Sequence, residues 1–465
     1  MKAAAAGFGG MAASGARGQG AAPENKPLRV AVIGCGDRGV RTLLPESCKE
    51  QIVALADPDP LRIEAALAQI RKTAPSADIA RVRTFSDYRR LFDELGGELD
   101  AAMIATPNHQ HAPPALLAIR RGIHVYVEKP LTHTIHEARL LRDEAKRVGV
   151  ATQMGQHGHS NEGCRRLCEY IWAGAIGQVR EVHAWTMRCN GLPSGWVSKQ
   201  LPLPAGFDWD SWIGPAPYRE FQDDLHPHNW HLWTDFGNGS IGNMGCHLFD
   251  PSYWALRLGS PAAVEVEDME GGGGGTWPIR TRIRWDFAAR EGMEPVKLYF
   301  WDGLASGMPY NEKTVQKRWR NVNERKWQNL PPLLLELESK HGRDFGKNGS
   351  LLVGDKGVIA VDEFGESARI VPEEAHRAFP VPAKELPRIK GTHQSDFFRA
   401  CRGGAPACAN FEYSAPLAEI ALLGDIAMLA GAGRRVEWDA AAMRCANRPE
   451  LDRHLKTTYR DGWTI

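Results

Sequence analysis

Two stretches of the chain carry residue types whose spacing could do chemistry together. One is Gly34-Cys-Gly-Asp-Arg-Gly39, which follows the apolar run Leu28-Arg-Val-Ala-Val-Ile33. In this G-x-G-x-x-G spacing Gly34 permits a tight turn and Gly36 lets the backbone approach a pyrophosphate. Gly39 lets the next helix pack on the strand, and that helix N-terminus offers free N–H groups to the phosphates. Asp37 and Arg38 lie in the same loop. The other stretch is His124-Val-Tyr-Val-Glu-Lys-Pro130, an apolar alternation that ends in a carboxylate, an ammonium and a proline. Pro130 has no N–H for a sheet ladder, so the strand ends there and Glu128 and Lys129 stand at its carboxyl end. In an open parallel sheet that edge receives ligands. Read alone, Lys129 is as simply a lysine that follows a strand into water, and the rest of the chain must decide.

A second strand, Gln51-Ile-Val-Ala-Leu-Ala56, ends in Asp57, near the roughly 20-residue spacing of an acid that holds a ribose 2′-hydroxyl. A carboxylate there repels a 2′-phosphate, so NAD is favoured over NADP. The densest polar and aromatic cluster is His226-Pro-His-Asn-Trp-His231 with Trp233, and a further histidine lies in Gln156-His-Gly-His159. Flat apolar rings and hydrogen-bonding imidazoles at this density suit the wall of a small-molecule site, which makes His157, His228, Trp230, His231 and Trp233 candidate substrate contacts. A zinc site needs three or four ligands in fixed geometry. There is no H-E-x-x-H, and tryptophans flank the histidines, so no metal is assigned.

The elements that must position these residues alternate. Helical stretches at 61–72, 88–94, 113–121 and 135–148 separate strand-like runs at 28–33, 51–56, 81–85, 99–105 and 124–127, the pattern of a doubly wound parallel sheet. Strand-like runs from 177, 263, 281 and 295, a hairpin turning at 354–357, and helices at 394–401 and 416–430 point to a second, α+β domain. Its large open sheet is mostly antiparallel. The fold class is therefore α/β with a leader at 1–27, a nucleotide domain at 28–150 and a substrate-binding and oligomerisation domain at 151–465. The Gly271–Gly275 run reads as a flexible loop, and 303–348 as an insertion, either a lid or an exposed excursion.

At 465 residues, two domains are the natural expectation. The 57 basic and 56 acidic side chains leave a formal charge of +1, which gives no basic stripe for a nucleic acid. No apolar run approaches the about 20 residues of a membrane helix. Nine scattered cysteines fit neither a disulfide framework nor a zinc module. Residues 1–27 are a run of small, weakly apolar residues. They read as a truncated twin-arginine export signal lacking its arginines, which would make the protein periplasmic or exported, or as a plain leader on a cytoplasmic one.

Together, Ala31-Val-Ile-Gly-Cys-Gly-Asp-Arg-Gly39, Ala105-Thr-Pro-Asn-His-Gln-His111 and Val127-Glu-Lys-Pro-Leu131 resemble the Gfo/Idh/MocA family of NAD(P)-dependent oxidoreductases over residues 28–460. The resemblance implies that Thr106, Pro107, Asn108, His111 and Glu128 line the cofactor site, that Lys129 is catalytic beside the nicotinamide, and that Pro130 follows a cis peptide. The family's second motif, G-G-x-x-x-D-x-G-x-H, maps with Asn243 where the aspartate stands and His247 as its histidine. A four-residue spacing puts both on one helical face. Asparagine can hydrogen-bond but carries no proton. His247 is therefore taken as the leading proton-transfer residue, Lys129 as its partner and Asn243 as a positioning residue. Trp209-Asp-Ser-Trp-Ile-Gly-Pro-Ala-Pro217 resembles a segment of the sugar-acting branches.

The expected activity is hydride transfer between a hydroxyl of a sugar, glycoside or polyol and NAD, with the cofactor tightly held. A second reading is an NAD-dependent glycosidase that oxidises transiently, eliminates, and returns the hydride. A third is a non-catalytic NAD-binding protein, kept open by Asn243. Partners are a small carbohydrate and further copies of the chain, as a dimer or tetramer.

Overall fold

The computed structural model describes residues 26–463, so the leader expectation lies outside the described residues, apart from 26 and 27. Six parallel strands form the first sheet: β1 (Arg29–Ile33), β2 (Gln51–Ala56), β3 (Arg83–Phe85), β4 (Ala101–Ile104), β5 (His124–Val127) and β6 (Thr152–Met154). Their order is β3-β2-β1-β4-β5-β6, so the chain reverses its direction of travel between β1 and β4. A crevice opens at the carboxyl ends of the strands at such a point. The register levels those ends: Ile33 pairs with Ala56 and Ile104, and Ile104 pairs with Val127. The next residues, Gly34, Asp57, Ala105 and Glu128, leave the sheet side by side.

Local chemistry sets the helix boundaries between these strands. Asp59 accepts from Leu61 N and caps the helix Pro60–Thr73. Thr134 and Glu137 form a capping box at the start of Ile135–Val148, and Gly149 ends that helix at φ 82°. The strand Thr152–Met154 pairs with β5, so the first sheet continues past the expected boundary at 150. The helix His393–Cys401, far along the chain, returns to it: Phe397, Phe398 and Cys401 pack with Leu28, Val30 and Tyr126.

The second sheet has nine strands: β7 (Val179–Thr186), β8 (Ala263–Gly273), β9 (Thr276–Phe287), β10 (Val296–Gly303), β11 (Gly349–Gly354), β12 (Gly357–Asp362), β13 (Ala368–Val371), β14 (Val436–Asp439) and β15 (Arg444–Cys445). In the order β13-β12-β11-β7-β10-β9-β8-β14-β15 the β7–β10 pair is parallel, and the other pairs are antiparallel. The β11–β12 hairpin turns between Gly354 and Gly357 as the sequence predicts.

Two helices, Gly239–Ala255 and Phe411–Ala430, cover one face of this sheet. Packing there is close, since a Cβ on Gly424 would stand 2.4 Å from Ile241 and 2.9 Å from Trp285. Phe411–Ala430 corrects the expectation that no apolar run approaches membrane-helix length: it is long and apolar enough by composition, but it is mostly buried as a core helix, with Glu419 accepting from Arg139 and Asp425 from Asn238. It begins five residues before the expected Pro416, where Asn410 accepts from Glu412 N.

The opposite face of the sheet is charged: Arg284 pairs with Glu265, Glu267 and Asp286. The Gly271–Gly275 run is the tight end of the β8–β9 hairpin, with Gly272 N donating to Leu192 O at 2.7 Å, rather than a free loop. In the expected insertion, Leu304, Val315 and Val322 pack on Cys189 and Ile279, and the segment's Lys317, Arg318 and Trp319 reach the central cavity.

Candidate active site

A cavity of about 620 Å³ runs from the glycine turn after β1, across the carboxyl ends of β2, β4 and β5, to the helix Gly239–Ala255. Its size falls in the roughly 300–1,000 Å³ range of small-molecule sites. Gly34, Gly36, Asp37, Arg38, Asp57, Thr106, Pro107, Asn108, His111, Glu128, Lys129, His157, His228, Trp230, His231, Asn243 and His247 all line it, which places seventeen expected site residues in one space.

The three loop glycines behave differently. Gly34 has φ 87°, and a Cβ there would meet Ala105 O at 2.5 Å, so the turn is locked against the end of β4. Gly39 is absent from the cavity wall, because its missing Cβ makes room for Gly34 O, 2.1 Å from where it would stand. Around Gly36 a Cβ would find no protein atom within 4 Å. This is the cradle a diphosphate needs.

Asp57 Oδ2 accepts from Cys35 N at 2.7 Å and Oδ1 from Asp59 N at 2.9 Å, which fixes the carboxylate across the loop. Burial raises its pKa to about 6 against those two N–H donors. Each oxygen keeps a lone pair for a ribose hydroxyl. His226 Nε2 lies 2.9 Å from Asp59 Oδ2 and ties the second domain to this end of the cavity.

At the other end, Lys129 Nζ donates to Asn243 O at 2.6 Å and to Asn243 Oδ1 at 3.2 Å. Burial, with Arg38 and Arg188 nearby, brings the ammonium down to about 8 against the opposing pull of Glu128. Asn243 Nδ2 donates to Asn190 Oδ1 at 3.1 Å, so the amide is oriented with its oxygen toward Lys129. Burial would raise the Glu128 carboxyl, yet Arg38, 3.0 Å from Oε1, and Lys129 hold it below the usual range. Glu128 Oε2 and Asn108 Oδ1 are buried acceptors without a donor. The Lys129–Pro130 peptide is cis, as the resemblance implies.

His247 shares the helical face with Asn243, as expected, but has no carboxylate. Its Nδ1 is unpartnered, its ring lies 5.2 Å from that of His157, and burial followed by Lys129 and His157 drives its pKa well below 6.5. His157 falls to about 4 and His228 to about 3 from burial and neighbouring cations, and burial takes His231 well below 6.5. All four are neutral rings at neutral pH. The expectation that His247 leads proton transfer is weakened by this environment, because a base works best with a pKa near the operating pH, and Lys129 is nearer.

Two further expectations change. Trp233 is not part of the wall. It is buried among Trp209, Trp212 and Phe236, donates from Nε1 to Asp224 O at 2.7 Å and carries Arg219 over its ring at 4.3 Å. The single turn at Asn229–Leu232 presents Trp230 and His231, stacked at 3.7 Å, and leaves Trp233 on the far side. His111 lines the cavity, but its ring nitrogens lie 2.7 Å from Pro130 O and 2.9 Å from Thr106 O. They clamp the loops after β4 and β5 together, so any contact with a cofactor comes from the ring's surface.

Sequence reasoning missed Arg188, Asn190, Trp212, Trp319, Glu363 and Phe364. The polar run Arg188-Cys-Asn190 just after β7 was the available signal, the same one that marked Glu128 and Lys129 after β5. Nothing in the sequence flagged Phe364, which packs on His157 at 4.7 Å. Among the described residues no cluster of three or more His, Cys, Asp or Glu side chains could hold a metal.

The unobstructed Gly36, the paired Asp57 and the orphaned acceptors of Asn108 and Glu128 fit a dinucleotide lying along the strand ends. Residues 28–156 match the model described as an oxidoreductase family with an NAD-binding Rossmann fold, and residues 183–288 match the companion C-terminal alpha/beta domain. The chain is 26% identical over 290 residues to the 1-carboxy-3-chloro-3,4-dihydroxycyclo hexa-1,5-diene dehydrogenase of Comamonas testosteroni, covering 61% of this chain and 58% of that protein. It is 27% identical over 245 residues to the D-glucoside 3-dehydrogenase of Escherichia coli (strain K12), covering 52% and 57%. In each case the chain spans little more than half of the relative's length. The fold is similar to that of aldose-aldose oxidoreductase from Caulobacter crescentus, at TM-score 0.55 and 16% identity over 89% of this chain and 100% of that one. With both domain models matched in order across the two sheets, the chain belongs to the Gfo/Idh/MocA oxidoreductase family.

Proposed function

We propose that the protein is an NAD-dependent dehydrogenase acting on a ring or chain hydroxyl of a sugar, glycoside or polyol. The observation that carries this is the meeting of Lys129, Asn243 and His247 in the same cavity as the glycine turn and Asp57. One relative named above is a glucoside dehydrogenase and another acts on a dihydroxy ring, which supports a hydroxyl-bearing ring as substrate.

Gly34, Gly36 and the following helix would hold the diphosphate, Asp57 the adenosine ribose, and Asn108 and Glu128 the other half of the dinucleotide. When bound, NAD supplies the hydride acceptor. The chain's own residues supply the rest. Lys129, with its proton affinity lowered to about 8, takes the proton of the substrate hydroxyl in its neutral form and returns it in the reverse direction. Asn243 receives hydrogen bonds from Lys129 and so fixes where Nζ stands. His247, neutral, accepts from or donates to the same hydroxyl without competing for charge. Trp230, Trp319 and Phe364 close the wall with flat apolar surface and keep water from the reacting carbon.

We further propose that the NAD is retained tightly and that the chain associates with copies of itself through the charged open face of the nine-stranded sheet. The test is purified protein with NAD and a panel of sugars, glycosides and polyols, read by NADH absorbance, with mass spectrometry of whatever is released on denaturation. Stoichiometric NADH from one substrate class supports the reading. Cleavage of an aryl glycoside with no NADH accumulating would replace it with the transient-oxidation glycosidase. If neither reaction occurs and Lys129→Ala changes nothing, the enzymatic reading is lost.

A further inference from the structure

Arg188, just past the end of β7, stands in the cavity wall with no carboxylate in ion-pair contact among the described residues. Its Nη1 donates to Trp319 O at 3.1 Å and to Asn321 Oδ1 at 2.7 Å, while a main-chain bridge to Asn321 holds the segment. These bonds fix the guanidinium plane. The other edge is left over: Nε is buried with no acceptor, and Nη2 has none among the described residues. An unsatisfied buried donor is costly, more so when charged, unless a ligand supplies the acceptor.

The charges around it are one-sided. Lys317 and Arg318 are exposed on the rim of the same cavity and pair with no acid among the described residues. Of the acids in the wall, Asp37 is paired with Arg41, Glu128 with Arg38, and Asp57 lies at the nucleotide end. Glu363 remains, and its Oε2 accepts from Asn348 at 2.8 Å. The substrate end thus sets Lys129, Arg188, Lys317 and Arg318 against one carboxylate. Arg188 and Arg318 also help burial press His228 down to about 3, which leaves that ring a neutral hydroxyl partner.

We propose that this end of the cavity is a carboxylate subsite, so that the substrate of the proposed dehydrogenase is a sugar acid or glycosiduronate whose carboxylate is received by the Nε–Nη2 edge of Arg188. The edge presents two parallel N–H donors, the geometry a planar carboxylate accepts. One partly buried guanidinium neutralises a monoanion. A phosphate dianion would place a second negative charge on the same single fork, beside the flat rings of Trp319 and Phe364 and the uncharged ring of His228. Lys317 and Arg318 act at longer range and attract the anion to the mouth.

The inference rests on the dehydrogenase reading for its sugar but is tested by binding rather than turnover. Intact protein saturated with NADH is titrated calorimetrically with methyl β-D-glucuronide, methyl β-D-glucoside and glucose 6-phosphate. The glucuronide should bind at least about tenfold tighter than the glucoside, with the margin shrinking at high salt. Arg188→Lys, which keeps the charge but loses the fork, should bring the two within about threefold. Lys317→Ala with Arg318→Ala, both on the surface, should narrow the margin by weakening the glucuronide alone. Equal binding of glucuronide and glucoside, no binding of the glucuronide, or tighter binding of the phosphate would each overturn the subsite. The wild-type ratio decides even if the Arg188 variant fails to fold. Tight glucuronide binding without oxidation of any substrate would sink the dehydrogenase and leave the subsite standing. Equal turnover of glucoside and glucuronide would do the reverse.

Discussion

Lys129 Nζ donates to both oxygens of Asn243, the main-chain one at 2.6 Å and the side-chain one at 3.2 Å. Where the family motif places an aspartate, this chain presents the lysine with two neutral acceptors. The geometry of an orienting partner is kept and its negative charge is removed. Burial, with Arg38 and Arg188 nearby, brings Lys129 down to about 8, and the neutral Asn243 adds no negative charge to oppose it; burial with Lys129 and His157 nearby likewise keeps His247 far from basic.

Replacing Lys129 should separate chemistry from cofactor binding. Lys129→Met keeps the length and apolar stem of the side chain but can neither accept nor donate a proton. Single-turnover NADH formation should fall by about 100- to 10,000-fold, the usual weight of a general acid–base group. NAD affinity, measured by fluorescence titration, should move no more than a few-fold. Unchanged turnover would show that another group carries the proton.

The pH dependence follows from the sign of the Lys129 shift. The neutral amine is the active base, so kcat for oxidation should rise about tenfold per pH unit below about 8 and level off above it. Asn243→Asp adds a negative charge beside the ammonium, stabilises the protonated form and should move this limb to higher pH. A pH–rate profile of both proteins checks this, and a limb that stays in place in the variant would remove Lys129 from the role.

Asp57 should govern cofactor choice and add a second limb. Its pKa is raised to about 6, so the ionised acceptor is lost as pH falls through that value, and the NAD dissociation constant should increase roughly tenfold between pH 7 and 5. For the unliganded protein the sign is opposite. A carboxyl whose folded pKa exceeds its unfolded one contributes stability below about 3.8 and loses it as pH rises through 6. Asp57→Ser should abolish the binding limb and shift preference toward NADP, as isothermal titration with both cofactors would show.

Two glycines four residues or fewer apart should fail differently. A Cβ at Gly36 meets nothing within 4 Å, so Gly36→Val should melt within about 1–2 °C of the parent, as a surface change does, yet lose NAD binding. Gly39→Ala drives a methyl to 2.1 Å from Gly34 O and should destabilise the protein by about 1–3 kcal/mol through overpacking. Thermal melts with and without NAD distinguish the two, and equal melting losses would refute the assignment of Gly36 to ligand approach.

The local signals in the sequence were strong where one side chain or one turn decides the outcome. Gly34-Cys-Gly-Asp-Arg-Gly39 after an apolar run, Asp57 at the end of the next strand and Lys129-Pro130 at the end of another all fix backbone geometry within a few residues. They stand where the alternation of strand and helix predicts. The four-residue spacing of Asn243 and His247 likewise held, because helical periodicity is local. Trp233 falls outside the wall because the one-turn helix ends at it: its extended backbone, φ −110° and ψ 132°, carries the ring away from Trp230 and into the Trp209 and Trp212 cluster, a packing that spacing alone does not reveal.

What the sequence determined by itself, then, is the doubly wound sheet, its phosphate turn and the identity of the lysine at its edge, all products of short-range sterics and hydrogen bonding. Only the tertiary structure decided what those groups experience. Arg188 comes from the second sheet, Trp319 from the segment after it and Phe364 from the loop after β12. In the cavity wall they join Lys129 from 59, 190 and 235 residues further along the chain. Burial and the summed field of those distant charges set the proton affinities of Lys129 and His247, and neither quantity is a property of neighbours in sequence.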